Sequence, residues 1–259
     1  MTAPLPLPPS AELPADALAG RRVLITGAAA GLGAALARLA AAHGATVVLL
    51  DRNLRALEQL YDTLEAAGHP QPALYPMDLL GASPDDHAEL AERLEEALGG
   101  LDALVHGAAQ LGEPAPLAHY DVEHWMKTLQ VNLNAPFLLT RACLPLLAGS
   151  RDARVLFISD RAGREGQAYM GAYAVAKAGL EGLMRTLAAE QPAGSPVTVA
   201  SVDPGPIHTA LRRSAYPGET TDDLPSADRV AEILLPLLAP ATPVTPGGQY
   251  RVAPTSDGG

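Results

Sequence analysis

Acid–base chemistry is suggested by two residues four positions apart, Tyr173 and Lys177, in an alanine-rich segment that predicts a helix. Residues at i and i+4 share one face of a helix, so the phenol and the ammonium group are expected to be neighbours. A free tyrosine has a pKa of about 10, and a nearby cation lowers that pKa by stabilising the phenolate. The pair can then exchange a proton with a hydroxyl or carbonyl group. On a solvent-facing helix the same two residues would do no chemistry.

A glycine-rich turn near the N-terminus supports a functional interpretation of this pair. Residues 26–33, TGAAAGLG, connect a predicted strand to a predicted helix. Glycines permit the turn and let a phosphate approach the backbone N–H groups at the start of the helix. The spacing differs from G-x-G-x-x-G, and a tight connection without a ligand is the alternative. The strand-to-helix context favours a nucleotide, with contacts expected from Gly27, Ala30, Gly31, Leu32 and Gly33.

The expected cofactor is NAD(H), because an acid ends the second predicted strand. Asp51 lies 18 residues after Gly33, near the position where a carboxylate hydrogen-bonds the adenosine ribose. A carboxylate favours the free 2′-hydroxyl of NAD and repels the 2′-phosphate of NADP. The guanidinium of Arg52 could pair with that phosphate, so NADP is not excluded. A solvated acid at the end of a strand is the alternative for Asp51.

Together, the turn and the YAVAK segment resemble the short-chain dehydrogenase/reductase family, which carries a TGxxxGxG turn and a YxxxK pair. The resemblance covers residues 20–252. It implies an NAD(P)(H)-dependent oxidoreductase that transfers hydride between a nicotinamide and an alcohol or carbonyl substrate. Tyr173 would be the acid/base, and Lys177 would tune it and hold the nicotinamide ribose. MDLL at 77–80 and GREG at 163–166 resemble a bacterial branch described only generally as oxidoreductases, which implies no particular substrate.

Further positions take their roles from the same resemblance. Asn132 corresponds to the family asparagine that holds a water leading to the lysine, although a residue that satisfies backbone groups at a helix kink is the alternative. Asp78 and Leu79 resemble the pair that contacts adenine. DPGPIHT at 203–209 resembles the turn around nicotinamide and pyrophosphate, with a plain loop as the alternative. The remaining cofactor contacts are expected from Gly107, Ala108, Pro204, Gly205, Ile207 and Thr209.

Two positions depart from the family pattern. The family has a serine thirteen residues before the tyrosine, where this chain has Asp160. That serine donates a hydrogen bond to the substrate oxygen, whereas an ionised Asp160 cannot donate and would repel a phenolate. A protonated Asp160 could donate. Asp160 is predicted to replace the serine in catalysis; otherwise the chain is a catalytically impaired dinucleotide-binding protein, a sensor or a subunit. His106 stands where the family has asparagine, and we expect a structural or cofactor-edge role.

The elements that must position these residues alternate along the chain. Short apolar runs followed by longer helical segments predict βαβ units and a parallel sheet. We expect a Rossmann-type, doubly wound α/β fold of about seven strands with helices on both faces. The predicted strands cover 22–26, 46–50, 73–76, 101–106, 154–158, 197–202 and 248–252. Residues 20–253 are expected to form the single catalytic domain, between a flexible Pro-rich arm at 1–19 and a short tail at 254–259.

Composition limits the partners and the compartment. The formal net charge of −11 argues against nucleic acid and anionic membrane surfaces. Neither a signal peptide nor a transmembrane helix is predicted, and the single cysteine, Cys143, suits a reducing compartment, so we expect a cytoplasmic protein. The scattered histidines predict no metal site. Beyond a small-molecule substrate, the small residues on the Tyr173 helix and the family resemblance imply a homodimer or homotetramer. Residues 206–225 are expected to border the substrate pocket as a mobile lid.

Overall fold

The computed structural model describes residues 4–8, 13–220 and 222–253, which form one parallel sheet covered by helices. Its strands are β1 (Leu5–Pro6), β2 (Arg22–Thr26), β3 (Thr46–Asp51), β4 (Ala73–Pro76), β5 (Ala103–His106), β6 (Ala153–Ile158), β7 (Val197–Asp203) and β8 (Gly248–Arg251). Its α-helices are α1 (Gly31–Ala42), α2 (Leu54–Ala66), α3 (Pro84–Leu98), α4 (Val122–Leu129), α5 (Ala135–Ala148), α6 (Arg161–Glu165), α7 (Gly171–Glu190), α8 (Ala210–Ala215) and α9 (Ala227–Leu234).

The strand order β1-β8-β7-β6-β5-β2-β3-β4 is that of a doubly wound sheet, which confirms the expected fold class. From β2 the chain builds outwards through β3 and β4, and it then returns to β5 on the other side of β2. This reversal opens a crevice at the carboxyl ends of the central strands. Ligands of open α/β sheets bind in such a crevice.

The sheet has eight strands in the described residues instead of the expected seven, because Leu5–Pro6 pairs with Tyr250 and Arg251 at its edge. Proline lacks an N–H group and is therefore tolerated on an edge strand, where no second neighbour needs it. The predicted flexible arm is thus wrong for this segment, which is held on the sheet, and Leu18 is fully buried. Residues 1–3 and 9–12 of the arm, and the tail at 254–259, lie outside the described residues.

The core fills both faces of the sheet. Successive residues of a strand point to opposite faces, so Ile25 and Leu24 of β2 enter different layers. Ile25 packs in the layer that includes Leu36 of α1, and Leu24 packs in the layer that includes Leu139 of α5. Burial on both faces explains why the central residues of β2 are all apolar.

Helices α4 and α5 are joined by a π-helical turn over Gln130–Asn134, just before Pro136 in the first turn of α5. The joined segment Val122–Ala148 has the length and apolar composition of a membrane span. Its buried residues, among them Leu139 and Cys143, nevertheless pack in the core against the sheet. That arrangement is typical of a core helix of a globular protein.

Two short helices beside the crevice were not predicted. Helices α6 and α8 have five and six residues, too few to show a helical period. Each begins at a side-chain cap: Asp160 Oδ1 accepts from the Ala162 N–H at 2.7 Å, and Thr209 Oγ1 accepts from the Arg212 N–H at 3.2 Å. These caps fix the two chain segments that enclose the site.

Candidate active site

The crevice holds a cavity of about 570 Å³, a size usual for ligand sites. Its wall contains every predicted catalytic and cofactor residue except Asn132: Gly27, Ala30, Gly31, Leu32, Gly33, Asp51, Arg52, Asp78, Leu79, Gly107, Ala108, Asp160, Tyr173, Lys177, Pro204, Gly205, Ile207 and Thr209. Residues as far apart in the sequence as Gly27 and Thr209 therefore meet at one place. The cavity runs from the carboxyl end of β3 to the buried face of α7.

The glycine-rich turn fits a phosphate group. Helix α1 begins at Gly31, and its N-cap residue, Ala30, offers no side-chain hydrogen bond to the first turn. Gly27 has φ +73°, and an added Cβ would lie 2.8 Å from Ala108 Cα. A Cβ on Gly33 would overlap the Gly27 carbonyl oxygen. The turn is thus held tightly without side chains, and its N–H groups remain available to an anion at the positive end of the helix.

At the far end of the cavity, Asp51 closes β3 beside this turn. Its Oδ1 accepts from the Asn53 N–H at 3.0 Å, and its Oδ2 lies 3.4 Å from the Ala29 nitrogen. The neighbouring Arg52 is exposed, and Leu79 is buried in the opposite wall. The rim therefore carries a hydrogen-bonded carboxylate and an exposed guanidinium. A carboxylate favours a free ribose hydroxyl, whereas a guanidinium favours a ribose phosphate.

Tyr173 and Lys177 lie on the buried face of α7, with 5% and 2% of their surface exposed. Lys177 Nζ donates to the Ile158 carbonyl oxygen at 2.7 Å and lies 5.7 Å from the centre of the Tyr173 ring. Burial lowers the pKa of Lys177 to about 8, and the carboxylates of Asp160 and Glu181 oppose that change. The ammonium group thus lies beside the phenol, as their spacing predicts.

The tyrosine hydroxyl is committed to Asp160. Tyr173 Oη donates to Asp160 Oδ2 at 3.0 Å, while Oδ1 of the same carboxylate caps α6. Burial raises the pKa of Tyr173 well above its ordinary value, and Asp160 raises it further. The expectation that Lys177 lowers this pKa is therefore wrong for this state, because burial and the acid outweigh the ammonium. Each oxygen of Asp160 thus accepts one hydrogen bond.

Helix α6 sets the distance between Asp160 and the tyrosine. A Cβ on Gly163 would lie 2.6 Å from the Lys177 backbone carbon, so α6 packs directly on α7. Arg164 anchors the same helix: its Nε donates to Glu181 Oε1 at 2.8 Å, and a terminal nitrogen donates to the Tyr250 carbonyl at 2.9 Å. The two ends of this ion pair are 7% and 3% exposed. A buried ionic contact thus holds helix α6, whose cap is Asp160, against α7, which carries Tyr173 and Lys177.

Asn132 lies in the π-helical turn and holds backbone groups. Its amide accepts from the Gln110 N–H and donates to the Gln110 and Thr128 carbonyls, at 2.7–3.1 Å. These bonds match the backbone-satisfying alternative for Asn132, and they fix Gln110, which lines the cavity. The water relay to Lys177 stays a prediction.

The surroundings of His106 match the structural role, one of the two roles expected for it. Its ring stacks on Phe157 at 4.7 Å, and Nε2 lies 2.8 Å from Thr140 Oγ1. Burial lowers its pKa to about 3, so the ring is neutral and cannot serve as an acid or base near neutral pH.

The substrate side of the cavity is mostly apolar. Its walls include Leu111, Met170 and Leu211, the last from α8. Of the 206–225 segment predicted to border the pocket, residues between Pro206 and Tyr216 line the cavity, and the segment contains α8 and is less irregular than expected. Its mobility remains a prediction. Sequence reasoning missed these wall residues because none carries a chemical signature.

Arg212, which sequence reasoning also missed, lines the cavity, and its guanidinium contacts Glu219 and Tyr216. Its Nε and a terminal nitrogen donate to the two carboxylate oxygens of Glu219 at 2.6 and 2.5 Å. Its guanidinium carbon also lies 3.7 Å from the centre of the Tyr216 ring. The seven-residue spacing of Arg212 and Glu219 in a loop gives no sequence signal for this pair.

Comparison with known proteins agrees with this geometry. The family described as short chain dehydrogenase matches residues 21–220. The uncharacterized oxidoreductase YciK of Escherichia coli K12 is 36% identical over 223 residues, 86% of this chain and 88% of that protein. A Pseudomonas syringae structure named as a short chain dehydrogenase is 40% identical, with a TM-score of 0.91 over 96% of this chain and 99% of the other.

A third similar protein carries a cofactor in its structure. A short chain dehydrogenase of Shigella flexneri 2a, complexed with NADP, is 34% identical, with a TM-score of 0.89 over 92% of this chain and 99% of the other.

Proposed function

Because the chain belongs to the short-chain dehydrogenase/reductase family and is an oxidoreductase, we propose that it interconverts an alcohol and a carbonyl compound. The observation that carries the proposal is Tyr173, buried in the wall of the cavity with Lys177 beside it, in the same cavity that the glycine-rich turn lines. A proton-transfer group and a cofactor cleft at one place are what hydride transfer to or from a carbinol carbon requires.

The residues of the cavity fit a nicotinamide dinucleotide. The uncapped first turn of α1 and the close-packed Gly27 and Gly33 would hold the pyrophosphate, and Asp51 would face the adenosine ribose. The turn after β7, with Gly205 at φ +71°, would support the nicotinamide end near Lys177. When bound, the cofactor supplies or accepts the hydride.

In this proposal the protein manages the proton. During reduction of a carbonyl, Tyr173 gives its hydroxyl proton to the substrate oxygen and leaves its hydrogen bond to Asp160. The resulting phenolate is stabilised by the Lys177 ammonium and destabilised by the Asp160 carboxylate. In oxidation the same proton returns to Tyr173 as the alcohol loses a hydride and becomes a carbonyl. The apolar walls around Leu111 and Met170 keep water from this exchange.

For the cofactor we propose a preference for NAD(H), supported by the fixed carboxylate of Asp51 at the ribose end. The NADP bound to the Shigella relative favours the opposite preference, and the exposed Arg52 could serve a 2′-phosphate here. Competitive binding of NADH and NADPH, followed by nicotinamide fluorescence, distinguishes them. Tighter binding of NADPH by the unmodified protein contradicts the preference.

We propose that the substrate is a small molecule. We also propose that the protein forms a homodimer or homotetramer through α5 and α7. Apolar side chains are exposed on these helices and on α4: Met126, Phe137 and Val175. Such a cluster is typical of a protein contact. Light scattering of the unmodified protein should give a dimer or larger, and Phe137→Asp should weaken it. A monomer at micromolar concentration contradicts this assembly.

The formal charge of −11 supports the absence of nucleic-acid or membrane partners, and the single cysteine supports a cytoplasmic location.

A second candidate is a dinucleotide-binding protein without turnover. The hydrogen bond between Tyr173 and Asp160 favours it, because it retains the proton that the reaction must move. A screen of alcohols and ketones with both cofactors, from acid to alkaline pH, separates the candidates. Cofactor-dependent turnover in either direction supports the enzyme. Saturable cofactor binding with no turnover by the unmodified protein or by Asp160→Ser supports the second candidate.

A further inference from the structure

Asp160 places one carboxylate beside the phenol of Tyr173. Among the described residues, no lysine, arginine or histidine forms an ion pair with Asp160, although Lys177 and Arg212 attract it from a greater distance. Lys177 directs its hydrogen bond to the Ile158 carbonyl. Arg212, which faces the same cavity, is held by both oxygens of Glu219 and by the ring of Tyr216. The carboxylate is therefore available to a charge brought by a ligand.

The surroundings of Asp160 make such a charge valuable. The carboxylate is half-buried and faces the cavity, and the walls near it are the apolar side chains of Leu111, Met170 and Leu211. An anion that is partly removed from water is costly unless a counter-charge or hydrogen bonds compensate it. The two hydrogen bonds from Tyr173 and the Ala162 N–H compensate in part, and the first of them is lost when the tyrosine serves the substrate.

We infer that the substrate is a cationic amino ketone or the corresponding amino alcohol, whose ammonium group pairs with Asp160 while its oxygen meets Tyr173. This inference rests on the proposed function and names its substrate class. The amine belongs on the carbon next to the carbonyl carbon. Tyr173 Oη and Asp160 Oδ2 are 3.0 Å apart, and two hydrogen bonds of about 2.8 Å to these atoms need a substrate oxygen and nitrogen that are close neighbours.

The pairing also serves the chemistry. A cation at Asp160 offsets the carboxylate that opposes the loss of the proton from Tyr173, so the substrate itself supplies what the site lacks. A neutral ketone brings no further counter-charge to that carboxylate. Asp160 therefore favours cationic substrates, whereas a hydroxyl group in the same position would accept neutral substrates.

Two ketones of the same shape test the inference. In 1-(dimethylamino)propan-2-one the nitrogen replaces the branching carbon of 4-methylpentan-2-one, and at pH 6.5 the amine is largely protonated. Reduction of each is followed with NADH and with NADPH for the unmodified protein, Asp160→Ser and Asp160→Asn. Serine and asparagine both cap helices, so α6 retains its start. Asp62→Ser, at an exposed position of helix α2 outside the cavity wall, is the control for net charge.

For the unmodified protein and Asp62→Ser, we expect kcat/KM for the amino ketone to exceed that for the neutral ketone by about tenfold or more, as a desolvated charge pair permits. In both Asp160 variants the ratio should fall to about one, and Asp160→Ser should gain activity on the neutral ketone. Equal kcat/KM values for the two ketones in the unmodified protein overturn the inference while the proposed function stands. So does a ratio that Asp160→Ser leaves unchanged.

Binding without the cofactor gives an independent readout. Ligand-observed NMR should detect the amino ketone with the unmodified protein and not with Asp160→Asn, and should detect the neutral ketone equally weakly with both. If no variant reduces either ketone, the proposed function fails. Equal binding of the amino ketone by the unmodified protein and Asp160→Asn then also overturns the pairing.

Discussion

Removing one member of the buried ion pair between Arg164 and Glu181 should destabilise the protein strongly, whereas replacing both should not. Glu181→Leu removes the carboxylate and leaves the guanidinium, 7% exposed, without its ionic partner. Removing one member of a buried pair typically costs about 3–5 kcal/mol, whereas replacing both by apolar residues of similar volume is often neutral. We therefore expect Glu181→Leu to lose about 3–5 kcal/mol of unfolding free energy, and Arg164→Met/Glu181→Leu to regain most of it.

Urea unfolding followed by circular dichroism measures these differences, provided that the slope of the transition is unchanged. Arg161→Met is the matched control, because Arg161 lies on the same helix α6 in an exposed pair with Glu165 and should cost less than about 1 kcal/mol. The reasoning is refuted if Glu181→Leu costs as little as Arg161→Met. It is also refuted if the double variant is less stable than Glu181→Leu alone.

Three further results are expected. Because burial lowers the pKa of Lys177 to about 8, kcat/KM for carbonyl reduction should fall as pH rises through 8, and Lys177→Met should lack this step. In the unfolded chain this lysine stays protonated up to about pH 10.5, so the free energy of unfolding should also rise between pH 8 and 10.5. If the difference in this free energy between the unmodified protein and Lys177→Met stays constant over that range, the lowered pKa is contradicted. Asp51→Ala should narrow or reverse the preference for NADH over NADPH in fluorescence titrations. An unchanged ratio of the two dissociation constants would mean that other residues set the preference. Gly33→Ala should abolish binding of either cofactor, since its Cβ would overlap the Gly27 carbonyl oxygen, and normal titrations would contradict the described turn.

Local sequence patterns were sufficient for most of the fold. Strand β2 has the predicted bounds, Arg22–Thr26, and its three central residues are apolar and fully buried, as a strand covered on both faces requires. The edge strand Leu5–Pro6 could not be predicted, since two residues show no period and prolines argue against a strand. Helix α6 escaped prediction for a similar reason, because a single turn depends on its cap at Asp160 more than on periodicity.

The candidate site was predictable where backbone geometry or a fixed spacing defines it. The glycine-rich turn and the Tyr173–Lys177 pair are of this kind. The hydrogen bond from Tyr173 to Asp160 depends on how α6 packs on α7, and the pairing of Arg212 with Glu219 depends on a loop. Contacts between such segments have no local signature, so they emerged only from the structure.

The central claim is that Tyr173 moves the proton and that Asp160 restrains it. Its most direct test is the cofactor-dependent reduction of simple neutral ketones by four proteins: the unmodified chain, Asp160→Ser, Tyr173→Phe and the double variant. We predict that Asp160→Ser raises turnover, by up to roughly 10²–10³ if it restores a full hydrogen-bond donor to the substrate oxygen. Tyr173→Phe should abolish turnover in both backgrounds. Turnover that survives Tyr173→Phe, or a robust native activity on these ketones that Asp160→Ser destroys, would contradict the account.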